Sequence, residues 1–144
     1  MSTYRTTILS ARPPVDVFEY MARFSNAVEW DPGVLACEES DPGPPRRGST
    51  YRLVVGALGR RVRLEYRIEE IDPPRRVVLK AQNAMISSTD VIEVSPAPGG
   101  GSAVTYTATL TPKGPATLLA PLVGMALRRI GGRAAAGLRA ALVA

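Results

Sequence analysis

The stretch "SAVTYTATLTPKGPATLLAPLVGMALRRI", residues 102 to 130, changes its hydrophobic period in the middle. Up to Thr111 it alternates: Val104, Tyr106, Ala108 and Leu110 oppose Thr105, Thr107, Thr109 and Thr111, the period of a strand with one buried face. From Pro115 the period is helical. Leu119, Val123, Ala126, Ile130, Ala134, Gly137 and Ala141 form one stripe, Leu122 and Leu127 flank it, and Arg128 and Arg139 fall on the far side. Pro115 suits a first helical turn, whereas Pro121 should kink or delay the helix. Gly131 and Gly132 each cost about 1 kcal/mol against alanine, which fits a helix backbone that must approach a sheet closely. The chain therefore ends in a long helix, the only segment long enough to cover the apolar face of a sheet.

The preceding residues supply that sheet. "TYRTTILSA" (residues 3 to 11), "VLACEE", "TYRLVVGAL", "RRVRLEYRIEEI", "RRVVLKAQN" and "ISSTDVIEV" read as strands, punctuated by "DPGPPRR", "GALGR", "DPPRR" and "PAPGGG". Such short connections predict an antiparallel meander, since parallel neighbours need crossovers of about a dozen residues or more. Between the first two strands, Val17, Phe18, Met21 and Phe24 recur at helical spacing, with Pro13 and Pro14 placed to open the helix. Ser25 or Asn26 can cap a short second helical turn, which Pro32 and Gly33 then end.

At 144 residues the chain fits one domain, and a domain of that size buries roughly 70% of the surface its unfolded chain exposes. The lone Cys37 has neither a second cysteine nor a histidine beside it, so it reads as a small half-buried residue or a free thiol, and no disulfide or zinc site is expected. The polar, alternating N-terminus lacks the run of a secretory signal, and Pro121, Gly124 and Arg128 interrupt the longest apolar stretch, which predicts a soluble, cytoplasmic protein. Of the net charge of +5, nearly all sits in residues 115 to 144, where four arginines meet no acid. Elsewhere Arg61, Arg63, Glu65, Arg67 and Glu69 share one strand face with mixed sign, the pattern of a solvated face, which argues against nucleic acid. The arginines of the last helix are spread around it, which disfavours membrane contact. The oligomeric state is open between monomer and dimer.

Conventional catalytic machinery is thin. Without a histidine, no Ser-His-Asp, Cys-His or His-based metal arrangement can form, and no cofactor is expected. Glu38-Glu39 and Glu69-Glu70 point to opposite faces of their strands and cannot flank one atom. "PAPGGG" joins two strands and leads into no helix, so it cradles no phosphate.

The order of these pieces resembles the START-like superfamily, also called Bet v 1-like or SRPBCC, and within it the polyketide cyclase/dehydrase branch. "ARPPVDVFEYM" is similar to that branch's first strand-to-helix junction, "VEWDPGV" to its tryptophan loop, and "GGGSAVTYTATLTPKG" to its last hairpin. The resemblance implies an α+β helix-grip fold: a seven-stranded curved antiparallel sheet wrapped around a long C-terminal helix, two short helices after the first strand, one domain over residues 1–144. It also implies an internal cavity for a hydrophobic or amphipathic small molecule of polyketide, lipid or sterol type. The family's cyclases act by folding a reactive chain inside such a cavity, which leaves catalysis here open.

The inward faces argue for a cavity independently. Alternation turns Tyr51, Leu53, Leu64, Tyr66, Leu79, Asn83 and Tyr106 inward, and the parity of Ile86, Ile92 and Val94 carries Ser88 and Asp90 with them. Polar groups are costly in a solid core unless hydrogen-bonded, so their number suggests water or a ligand nearby, or positions at a solvated rim. These residues, with Trp30 and with Leu118, Leu122 and Met125 on the helix flank, are the candidate ligand-binding set. Trp30 reads either as a core plug that closes one end or as a chamber wall. Asp90, if mid-strand among apolar neighbours, has a raised pKa and is the candidate general acid or base; the alternatives are an ion pair with Arg129 or Arg133, or a solvated position.

Overall fold

Seven alternating segments become seven strands in the computed structural model, which describes residues 1–40, 43–57 and 59–143. They are β1 (Ser2–Ser10), β2 (Val34–Glu39), β3 (Thr50–Ala57), β4 (Arg60–Asp72), β5 (Arg76–Gln82), β6 (Ile86–Pro96) and β7 (Ser102–Pro112). All neighbours are antiparallel in the order β1-β7-β6-β5-β4-β3-β2. The meander dictated by short turns thus runs from β2 to β7, and the first strand pairs with the last. Leu58, read from sequence into the third strand, Asp41 and Pro42 of the preceding turn, and Ala144 lie outside the described residues.

Alternation assigns the faces as expected. Tyr51, Leu53, Leu64, Tyr66, Val77, Leu79, Ile92 and Val104 are buried on the concave side. The convex side carries exposed cross-strand pairs such as Arg52–Glu65 and Arg76–Glu93, whose mixed sign keeps that face wet. Bulges between Val34 and Ala36 and between Ile68 and Glu70 interrupt the ladders, and such insertions bend a strand.

Helix α1 (Pro14–Ala22) starts on Pro14, where a missing N–H does no harm, and buries Val17, Phe18 and Met21. A 3₁₀ turn (Phe24–Asn26) and α2 (Ala27–Trp30) follow. Neither predicted cap acts as one: Asn26 Nδ2 donates to the Tyr20 carbonyl at 2.9 Å, and Ser25 Oγ donates to Glu39 Oε1 at 2.7 Å.

Helix α3 (Ala120–Val143) begins at Ala120 rather than at Pro115, because residues Gly114–Leu119 form a 3₁₀ turn and Pro121 then falls in the first α-helical turn. It packs on β1, β7 and α2. The close approach is real at Gly131, where a Cβ would stand 2.5 Å from the Tyr4 ring, and closer at Gly137, where it would stand 1.9 Å from the Trp30 carbonyl oxygen. Gly132 faces open space. The far end of α3 is tied down by Ser10 Oγ, which donates to the Leu142 carbonyl at 2.8 Å.

Candidate functional site

Between the concave face and the first half of α3 lies a cavity of about 750 Å³. Leu53, Leu64, Ala108 and Leu110 line it from the sheet, Leu119 from the 3₁₀ turn, and Val123, Ala126 and Ile130 from α3. The packed end is different: there Trp30, Leu138 and Leu142 are 1–2% exposed.

One wall of the cavity is polar. β6 pairs Asp90 with Ala108 and Ile92 with Tyr106, which makes Asp90 and Tyr106 diagonal neighbours on the concave face. The Tyr106 hydroxyl donates to Asp90 Oδ2 at 2.5 Å, and the Tyr66 hydroxyl and Ser88 Oγ share a hydrogen bond of 2.7 Å. Ser88 sits close enough to act on the Asp90 carboxyl as well. Burial pushes Asp90 up to about 7; the Tyr106 donor opposes this, Asp31 adds repulsion, and Ser88 pulls down again. Tyr66 and Tyr106 are held well above their ordinary range by burial first and by Asp90 second. Arg129 and Arg133 are exposed, and among the described residues neither forms an ion pair with Asp90.

Asp31 is a second carboxylate on the cavity wall, half-buried just past α2. Its Oδ1 accepts from the Gly33 N–H at 2.8 Å, and burial pushes it up to about 6 against that bond. Sequence reading treated Asp-Pro-Gly only as a helix stop. The available signal was aspartate's habit of bonding its own backbone two residues on, which fixes the carboxyl at the turn. Tyr4 and Phe24 also line the cavity and were missed.

The other candidates divide. Leu53, Leu64, Tyr66, Ser88, Asp90 and Tyr106 reach the cavity surface. Asn83 reaches it too, but its Oδ1 accepts from the Met85 and Ile86 N–H groups at 2.8 and 2.9 Å and so holds the β5–β6 turn. Tyr51, Leu79 and Trp30 are buried in the core cluster without lining the cavity. The Trp30 ring stands edge-on to Tyr106 at 5.4 Å and to Phe24 at 6.5 Å, so it buttresses a cavity residue from behind. Leu118, Leu122 and Met125 turn to solvent, at 87%, 49% and 61% exposure. Each precedes a lining residue, Leu119, Val123 or Ala126, by one position, and one residue is about 100° of helix rotation. Cys37 is half-buried, and burial together with Glu39 pushes its thiol up to about 11, which keeps it protonated.

A family model described as polyketide cyclase/dehydrase and lipid transport matches residues 1–143. Similar solved structures include a START superfamily protein from Mycobacterium smegmatis, at TM-score 0.79 and 14% identity over 99% of this chain and 97% of that one. The Zhui aromatase/cyclase from a Streptomyces species superposes at TM-score 0.79 with 13% identity, over 97% of this chain and 92% of that one. A protein of Thermus thermophilus reaches TM-score 0.75 and 20% identity over 96% and 93% of the two chains. No curated protein shows sequence similarity to the chain. No helix among the described residues is long and apolar enough to cross a membrane.

Proposed function

We propose, from the premise that the chain belongs to the polyketide cyclase/dehydrase and lipid transport family, that it binds a hydrophobic or amphipathic small molecule in the cavity beneath α3. The occupant is of polyketide, lipid or sterol type, and the chain acts as one cytoplasmic domain over residues 1–144. The observation that carries this reading is the cavity itself: its 750 Å³ falls within the range of about 300–1,000 Å³ of small-molecule sites, with apolar walls and a few converging polar groups. A filled core would have no reason to leave that space. Titration with the apolar dye Nile red tests it. Wild-type protein should bind the dye, and Ala126→Trp, which puts an indole into the space, should abolish binding while thermal unfolding stays cooperative. A variant that binds as well as wild type would place the dye elsewhere and sink the reading.

A specific observation also favours a cyclase or dehydratase that folds its substrate in this cavity. Burial pushes Asp90 up to about 7, so it can take or return a proton near neutral pH, while the Tyr106 hydroxyl holds the carboxyl in place. The likeness to an aromatase/cyclase adds the fold to that chemistry. On this reading Asp90→Asn removes turnover of a polyketide chain and leaves Nile red binding intact; undiminished turnover would eliminate it.

A further inference from the structure

The cavity's charges are separated. Its depth holds two carboxylates, Asp31 and Asp90, and the hydroxyls of Tyr66, Ser88 and Tyr106. The cations that line it, Arg60, Arg61 and Arg63, are exposed at the rim, and the four arginines of α3 face solvent. No cation figures among the groups that act on either carboxyl.

Hydrogen-bond direction sharpens this. An ionised carboxylate only accepts. Tyr106 donates to Asp90, and Tyr66 and Ser88 share a bond in which either hydroxyl can be the donor. The Tyr106 proton is thus committed to Asp90, and one hydroxyl proton of Tyr66 and Ser88 to the bond between those two. The strongest polar groups lining the space are two carboxyls, which accept when ionised, beside hydroxyls that can also accept. An ammonium is the complementary group, with three donors and no acceptor. A carboxylate ligand head would meet like charge at depth and find its partners only at the arginine rim.

We propose that the occupant carries a protonated amine on an apolar body, with the ammonium held between Asp31 and Asp90 and the body lying against α3. The inference rests on the reading that this cavity binds a small molecule and adds the chemical class of its head group. The titratable groups lining the site are Asp31 after α2, Tyr66 on β4, Asp90 on β6, Tyr106 on β7 and Tyr4 on β1, with Arg60, Arg61 and Arg63 of β4 at the rim; α3 presents only apolar side chains and glycine backbone to it. The protein's net charge of +5 repels amines from the outer surface, so a preference for an amine would have to come from within.

The test is displacement of Nile red from the full chain by decylamine, decanol and decanoate, one apolar tail with three heads. At pH 8 decylamine should reach its midpoint at a concentration about tenfold below that of decanol, the ratio expected for a charge-assisted pair. In Asp90→Asn the ratio should fall to within about twofold of one, Asp31→Asn should lower it in the same direction, and at pH 5, where both carboxyls are protonated, wild type should lose it too. Decanol displacing as well as decylamine overturns the amine while leaving cavity binding intact. An amine advantage that survives in both variants also overturns it, and if none of the three displaces the dye, cavity binding falls with it.

Discussion

The two halves of α3 face the same sheet along one continuous apolar stripe, yet the second half is packed solid and the first half borders a hollow. At the closed end Gly137 lets the Trp30 carbonyl into contact with the helix, and Leu138 and Leu142 are each only 1% exposed. At the hollow end the stripe continues with Leu119, Val123 and Ala126, opposite Ala108 and Leu110, which are too small to meet across the gap. Hydrophobic period decides which residues face inward. Side-chain volume decides whether what lies inward is core or chamber.

The contrast can be broken most forcefully at Trp30. Trp30→Ala at the closed end should cost about 3–5 kcal/mol in urea unfolding, whereas Val123→Ala, beside space that is already empty, should cost less than about 1 kcal/mol. Equal costs would mean the two ends are packed alike. Next in size is Asp90. Its carboxyl titrates near 7 when folded against an ordinary 3.8, so the native state holds the extra proton between those values. The stability this supplies is present below about pH 4 and is lost as pH rises through about 7; Asp31 acts in the same direction through about 6. Asp90→Asn should therefore match wild type near pH 4 and exceed it at pH 8 by about 2–4 kcal/mol, read as a shift in the urea midpoint. A variant that loses stability at pH 8 would show that the charged form is favoured by its surroundings. Gly137→Ala comes third, at about 1–3 kcal/mol of destabilisation, because a methyl would collide with backbone. The smallest effect has the opposite sign: Gly132→Ala, facing open space on the same helix, should gain about 1 kcal/mol.

Much of this architecture is legible in the chain because it rests on local rules. Strands, turns and the inward parity of Tyr66, Ser88, Asp90 and Tyr106 follow from alternation, and the delayed start of α3 follows from Pro121. The site is less legible where rotation or volume decides. Leu122 and Met125 lie on the outer side of α3, and Leu118 on that of the preceding 3₁₀ turn, because a stripe read from sequence is broad and a single residue's error is a rotation of about 100° or more. Tyr51 and Leu79 point inward as parity requires and Trp30 is buried as a core plug, but whether an inward side chain meets protein or space depends on partners far away in sequence. Asp31 escaped for a different reason: a loop residue has no period to betray its direction.

The mismatch in length between β4 and β5 has a kinetic consequence. Thirteen residues of β4 stand beside seven of β5, and the ladder between them begins only at Arg67 and Lys80, so residues 60–66 carry no partner on that side. This seam borders the cavity rim at Arg60, Arg61 and Arg63. On the proposed reading, a guest entering there would displace side chains and leave the β4–β5 ladder closed. Its exchange would then follow rotamer and loop motions, on nanosecond to microsecond scales, rather than local unfolding.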